Sequence, residues 1–321
     1  MKRALLWVLL AAASGLLCLY ILGWQRDLDP ADLMAKYANK ESQFVDMGGG
    51  LIIHARDEGV PTRPAIVLVH GAIASLQTWE PWEVRLQGKY RVISFDLPGY
   101  GLTGPDPRGD YSIETTVRVI DELTKKLGVD RFAIVGHSMG GWVAWHYALA
   151  HPERVTGLIL IAPGGAPGVR YPDPPLGIRL GRNPVLRNII MRVTPRPVIE
   201  RTLRQAIADQ SLVTDKMIDR YWELLLYPGN REATLSRPSL AALVPATRAE
   251  MARIKAPTLI LWGADDRLMP ATASAWFKGA IPGAREIIYP RIGHVPMEEA
   301  PDRSAADADA FLGSLAPLSQ K

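Results

Sequence analysis

The sequence predicts a doubly wound, mostly parallel α/β sheet interrupted late in the chain by a helical insertion, and three observations predict it. Short apolar runs rich in β-branched residues, such as Ala65–Val69 and Phe132–Val135, read as strands buried on both faces. Amphipathic stretches of helical period alternate with these runs, and such alternation implies parallel strands joined by helical crossovers. Between Pro163 and Lys255 the alternation gives way to Pro- and Gly-rich turns and helical segments, then resumes.

Composition bounds what the chain can be. Its 321 residues, 48% of them hydrophobic, suit one large domain with a decorated core or at most two domains. A net charge of +4, from 37 Lys and Arg against 33 Asp and Glu, is too small to imply a nucleic-acid partner. Cys18 stands alone, which excludes a disulfide framework and a cysteine-based zinc site, and no metal or organic cofactor is expected.

After Met1-Lys2-Arg3 the stretch from Ala4 to Trp24 carries no charge. As a helix it would span roughly 31 Å, the thickness of a bilayer core. Its end, Tyr20-Ile-Leu-Gly-Trp24, places aromatics at an interface and offers no Ala-x-Ala cleavage site, so an uncleaved anchor over 1–26 is expected. Lys2 and Arg3 outweigh Arg26, which predicts a cytoplasmic N-terminus and a domain beyond the membrane, periplasmic in a Gram-negative host. Residues 27–41 read as a stalk with a helical tint at Asp32–Tyr37.

Along the rest of the chain, Phe44–Met47 and Leu51–Ala55 flank Gly48-Gly-Gly50 and predict an antiparallel hairpin. Further strands are expected at Arg91–Phe95, Val155–Ile161, Thr258–Trp262 and Glu286–Tyr289. Helices are expected at Trp79–Leu86, from an N-cap at Ser112 to Leu127, at Trp142–Ala150, at Thr272–Lys278 and at Pro301–Leu312. The insertion predicts helices at Pro197–Ala208, Asp215–Tyr227 and Ser239–Ile254.

The chemistry gathers at strand ends. Gly136-His-Ser-Met-Gly140 stands between a strand and a helix, the setting of a nucleophile elbow, where flanking glycines let the chain turn sharply and the helix N-terminus faces an oxyanion. Gly263-Ala-Asp-Asp266 follows the strand at Thr258, and Gly293-His294 follows the strand at Glu286, so serine, acid and histidine come in the order this arrangement requires.

With His70-Gly71 and Asp96-Leu-Pro-Gly-Tyr-Gly101, these motifs over residues 42–314 resemble the α/β-hydrolase superfamily, in its branch of capped serine esterases and lipase-like hydrolases. The resemblance implies that Ser138 is the nucleophile, His294 the general base, and Asp266, three residues after the glycine, the acid in preference to Asp265. It implies an oxyanion hole from the backbone amides of Ala72 and Met139. His70 is expected to brace the oxyanion loop, and His70, Trp79 and Trp142 are candidate pocket residues, with core packing as the other reading for the tryptophans. The implied organisation is an anchor (1–26), a stalk (27–41), a hydrolase core (42–163 and 256–314) and a helical cap (164–255).

The expected activity is hydrolysis of a small-molecule or lipid-like carboxylic ester through an acyl-enzyme. A carbon–carbon bond hydrolase is the alternative, supported by Ser138-Met-Gly-Gly141 although the Gly-Pro-Gly of that group's oxyanion loop is missing from His70-Gly-Ala-Ile-Ala-Ser75. A lactonase and a non-catalytic binding protein are further readings. From Val169 to Lys255 the chain has 15 Lys or Arg against 8 Asp or Glu, which reads first as a solvated helical surface and, as the alternative, as a cap resting on anionic lipid.

Overall fold

A computed structural model describes residues 2–169, 180–181, 183–237 and 244–315. Eight strands form one sheet in the order β1-β2-β4-β3-β5-β6-β7-β8. They are β1 (Ser42–Asp46), β2 (Ile52–Gly59), β3 (Ala65–Val69), β4 (Arg91–Phe95), β5 (Phe132–His137), β6 (Val155–Ile161), β7 (Thr258–Gly263) and β8 (Arg285–Tyr289). The β1–β2 and β2–β4 pairings are antiparallel, and all the others are parallel. Every residue of β3, β5 and β7 is buried, which is why these strands read as apolar runs.

Alternate side chains of each central strand face opposite layers. Val67 and Val69 join one cluster with Ile120, Leu123 and Trp145, while Ile66 and Leu68 join the other with Trp82, Leu86 and Phe311. The first layer comes from α4 (Ile113–Lys126), α5 (Met139–Ala150) and, near β7, α11 (Thr272–Ala280); the second comes from α3 (Glu80–Leu86) and α13 (Pro301–Gly313). Ser112 caps α4 as expected, accepting from the Thr115 amide. The expected helix at Trp79 is in part a 3-10 turn, Leu76–Trp79, before α3.

Between β6 and β7 lie α6 (Pro184–Ile190), α7 (Arg196–Ala206), α8 (Asp215–Leu225), α9 (Asn230–Ser236) and α10 (Arg248–Met251). Two of the three expected helices are present as α7 and α8. The expected helix Ser239–Ile254 shrinks to the four residues of α10, started by a capping box between Thr247 and Glu250; residues 239–243 lie outside those described. Arg170, Arg179 and Arg182, three of the basic residues of this insertion, also lie outside them.

The stretch expected to be a membrane anchor folds as one helix, α1 (Lys2–Gly23), of 22 residues. Among the described residues no helix is long and apolar enough to cross a membrane, so the helix is established and the span is not. The expected stalk does not stand clear of the domain. Gln25 N donates to Arg192 O at 2.8 Å, Leu28 N to Leu226 O at 3.0 Å, and Arg231 Nη2 reaches Asp27 at 2.5 Å. Helix α2 (Pro30–Tyr37) sets Leu33 against Leu102 and Leu224 in a small third core.

Candidate active site

The carboxyl ends of β3, β4, β5, β7 and β8 bring the motif residues to one edge of the sheet. The register pairs Val69 with Gly136, so His70 follows level with His137 and Gly71 level with Ser138, where a Cβ on Gly71 would stand 3.2 Å from Ser138 Cβ. Ser138 turns the chain from β5 into α5 at φ 55° and ψ −115°, and its amide donates to Ile161 O at 2.9 Å. A positive φ is rare outside glycine and is held only where the surroundings over-determine it. Here the neighbouring glycines are obligatory: a Cβ on Gly136 would stand 2.2 Å from Gly140 O, and one on Gly140 would stand 2.2 Å from Val69 O.

His294 and Asp266 are directly paired, with His294 Nδ1–H donating to Asp266 Oδ2 at 2.7 Å. The other oxygen of Asp266 accepts the amides of Leu268 and Met269, both at 2.8 Å, which fixes the carboxylate. Asp265 next to it is exposed, so geometry as well as spacing distinguishes the two. His137 ties the histidine loop to the elbow: its Nε2–H donates to His294 O at 2.9 Å, and the two rings lie 4.6 Å apart. That bond leaves Nδ1 as a buried acceptor without a partner, and burial, with the neighbouring His294, drives the His137 ring well below the usual histidine range.

The loop after β3 is braced from beneath. His70 Nδ1–H donates to Gly71 O at 2.7 Å and Nε2 accepts the Leu97 amide at 3.0 Å, so the ring is fully engaged, and burial lowers its pKa. Asp96 accepts the amides of Leu76 at 2.7 Å and Leu102 at 2.9 Å. Ile73 in this loop takes φ 61°, a strained value for a β-branched residue. Ala72, just before it, is exposed. Met139 begins α5, in the first turn, where amides have no acceptor within their own helix.

A pocket opens beside this loop. It is lined by Ile73, Ala74 and Ser75, by Tyr100 and Gly101 after β4, and by Tyr221, Leu224, Leu225 and Asn230 of the insertion. Its aromatic residues are Tyr100 and Tyr221, and neither Trp79 nor Trp142 lines it. Trp79 is wholly buried against Trp82 at 5.7 Å, and Trp142 packs against Trp145 and His146 beside the core. Among the described residues no group of three His, Cys, Asp or Glu side chains is placed to hold a metal ion.

Residues that sequence reasoning passed over also hold the site. Glu299 accepts the amides on both sides of His294, from Gly293 at 3.0 Å and Val295 at 3.4 Å. The His294 amide itself donates to Ala206 O in the insertion at 2.7 Å. The only sequence signal was a pair of adjacent glutamates, Glu298 and Glu299, shortly after the histidine.

Residues 66–308 match the family described as the alpha/beta hydrolase family. The chain belongs to it. This α/β-hydrolase is similar to several curated hydrolases. It is 29% identical over 267 residues, 79% of this chain and 89% of the relative, to a 2-hydroxy-6-oxononadienedioate/2-hydroxy-6-oxononatrienedioate hydrolase of Cupriavidus pinatubonensis. It is also 29% identical over 263 residues, 78% of this chain and 87% of the relative, to a 2-hydroxy-6-oxo-6-phenylhexa-2,4-dienoate hydrolase of Burkholderia cepacia. Among solved structures it is similar to a membrane phospholipase A described as a bacterial virulence factor, at 26% identity and TM-score 0.72 over 98% of both chains. It is likewise similar to the meta-cleavage product hydrolase of Pseudomonas fluorescens IP01, at 26% identity and TM-score 0.70 over 82% of this chain and 95% of that one.

Proposed function

We propose that this α/β-hydrolase is a serine hydrolase that cleaves a carboxylic ester of a lipid-like substrate at a membrane surface. The observation that carries the serine chemistry is the His294–Asp266 hydrogen bond of 2.7 Å on the loop that His137 ties to the elbow of Ser138. In this reading Asp266 holds the His294 ring with Nδ1 protonated, which leaves Nε2 as the base. His294 takes the Ser138 proton as the oxygen attacks the acyl carbon. The amides of Ala72 and Met139 receive the negative charge on the carbonyl oxygen. His294 then returns the proton to the departing alcohol, and water, activated by the same ring, releases the acid from Ser138.

The lipid-like substrate rests on two supports. The described lining of the pocket is largely apolar and carries no cationic side chain to meet a carboxylate. The membrane phospholipase A matches the chain over 98% of its length, the segment of α1 included. The same support underlies the proposals that α1 anchors the protein with its domain beyond the membrane and that residues 164–255 form a cap.

A second reading is favoured by the curated relatives, which are named for 2-hydroxy-6-oxo acids and thus for carbon–carbon bond hydrolysis rather than ester cleavage. By sequence alone they support that alternative more than the ester.

Ser138→Ala abolishes both fluorophosphonate labelling and turnover of p-nitrophenyl butyrate if the assignment is right; undiminished turnover refutes it. Phospholipids, short esters and 2-hydroxy-6-oxo-6-phenylhexa-2,4-dienoate offered to the detergent-solubilised protein decide the substrate. Turnover of the last alone selects the second reading. Release of the protein from membranes by alkaline carbonate rejects the anchor.

A further inference from the structure

The short helix α12 (Pro296–Glu299) begins two residues after His294, and its last two residues reach two different parts of the insertion. Glu299 is buried, with Oε1 on the amides of Gly293 and Val295 and Oε2 on the amide of Ala208 at 2.8 Å, just beyond α7. One carboxylate thus spans the His294 loop and the insertion, and the His294 amide closes the joint on Ala206 O. The fit is close: a Cβ on Gly293 would stand 2.3 Å from Ala206 O and 2.8 Å from Ala208 N.

Glu298 turns toward α8. It accepts from Arg220 Nη2 at 2.5 Å and from Tyr221 Oη at 2.8 Å, and also from Thr78 Oγ1 at 2.5 Å in the turn before α3. Its side chain is only 3% exposed, where a charged hydrogen-bond network is strong and exacting. Tyr221 is a wall of the pocket. Adjacent carboxylates therefore fasten the insertion twice, once behind the histidine and once behind the substrate wall.

We propose that Glu299 and Glu298 are positioning residues with separate tasks: Glu299 sets His294 against Ser138 by locking its loop to the insertion, and Glu298 sets the pocket wall through Arg220 and Tyr221. The proposal rests on the serine hydrolase reading above. Losing Glu299 shifts the base and lowers kcat, since a displacement of about 1 Å in a catalytic group costs on the order of 100-fold. Losing Glu298 loosens the wall and raises KM.

The test uses the full-length protein in detergent, with p-nitrophenyl butyrate turnover, the rate of fluorophosphonate labelling at Ser138, and the melting temperature measured for each variant. Glu299→Gln is expected to lower kcat and the labelling rate together by roughly 10-fold or more with KM nearly constant. Glu298→Gln is expected to raise KM several-fold with labelling by a small probe unchanged. Should Glu299→Gln not fold, Glu299→Asp keeps the charge and shortens the reach to the Ala208 amide, and the same fall in kcat is expected. Variants that lose melting temperature but keep kcat and KM overturn the proposal, as does one kinetic signature shared by both glutamates. A wild-type protein that is not labelled at Ser138 overturns the hydrolase reading and this proposal with it; labelling of wild type with Glu299→Gln unimpaired overturns this proposal alone.

Discussion

His54 and Asp96, both wholly buried, meet at 2.7 Å between the imidazole Nδ1 and the carboxylate Oδ2, the same separation as His294 and Asp266. Ser42 Oγ in turn stands 2.9 Å from His54 Nε2. Beside the proposed Ser138, His294 and Asp266, the chain thus holds a second series, Ser42–His54–Asp96, hydrogen-bonded throughout and set in β1, β2 and the end of β4. Burial alone would raise the Asp96 carboxyl, but the hydrogen bond and charge of His54 outweigh it and hold the carboxyl below its ordinary value.

Of the two serines, only Ser138 sits in the setting of a nucleophile elbow. Ser42 lies in an ordinary strand, without the sharp turn and helix N-terminus that surround Ser138. Fluorophosphonate treatment followed by peptide mapping is expected to place the label on Ser138, with Ser42→Ala labelled as fast as wild type. Recovery of the label at Ser42 would contradict this.

The second series instead supports the fold. His54→Leu strands a buried carboxylate that also accepts the Leu76 and Leu102 amides, and removing one partner of such a pair costs about 3–5 kcal/mol. Urea unfolding measures it. A loss near the roughly 0.5 kcal/mol of an ordinary surface change would show that Asp96 does not depend on His54.

Asp266 and Asp265 separate cleanly by experiment. Asp266→Asn keeps the shape but reverses the hydrogen bond to His294, and about a 10⁴-fold fall in kcat is expected from the wrong tautomer. Asp265→Asn, at an exposed site, is expected to change kcat little. A reversed ranking in steady-state assays would move the acid to Asp265.

Glu83 makes stability depend on pH. Burial lifts its carboxyl from 4.5 to about 7, against the opposing pull of Ser94 and Arg56. The folded state thus holds this proton more tightly than the unfolded chain. The resulting contribution to stability is full below pH 4.5 and is lost as pH rises to about 7. Melting temperatures across that window are expected to fall less steeply in Glu83→Gln than in wild type, and equal slopes would assign the dependence to other groups.

The strands were legible because burial on both faces leaves an unmistakable mark: β3 is apolar throughout, and β5 and β7 are apolar apart from His137 and Thr258 at their ends. The site was legible where chemistry and local geometry demand particular residues, as in Gly136, Gly140 and the His294 loop. It was not legible where long-range contact decides. Nothing local marks Glu299 as the partner of Ala208, 91 residues away, or Tyr221 as a pocket wall. Trp79 was a candidate because an aromatic near a strand end suits a pocket as well as a core, and only the packing of Trp79 on Trp82 separates the two. Within the described part of the helix expected over Ser239–Ile254, residues 244–247 are not helical, for a different reason. The four-residue remnant, α10, is set by the capping box at Thr247 rather than by periodicity upstream.

The residues after α1 are stitched to the insertion by the Trp24–Val193 bridge, by Arg231 on Asp27 and by Lys36 on Glu223, the last within the helix that also carries Tyr221. A segment fastened at so many points cannot act as a swivel. The direction in which α1 leaves the domain is thereby tied to the insertion and to the helix that carries Tyr221.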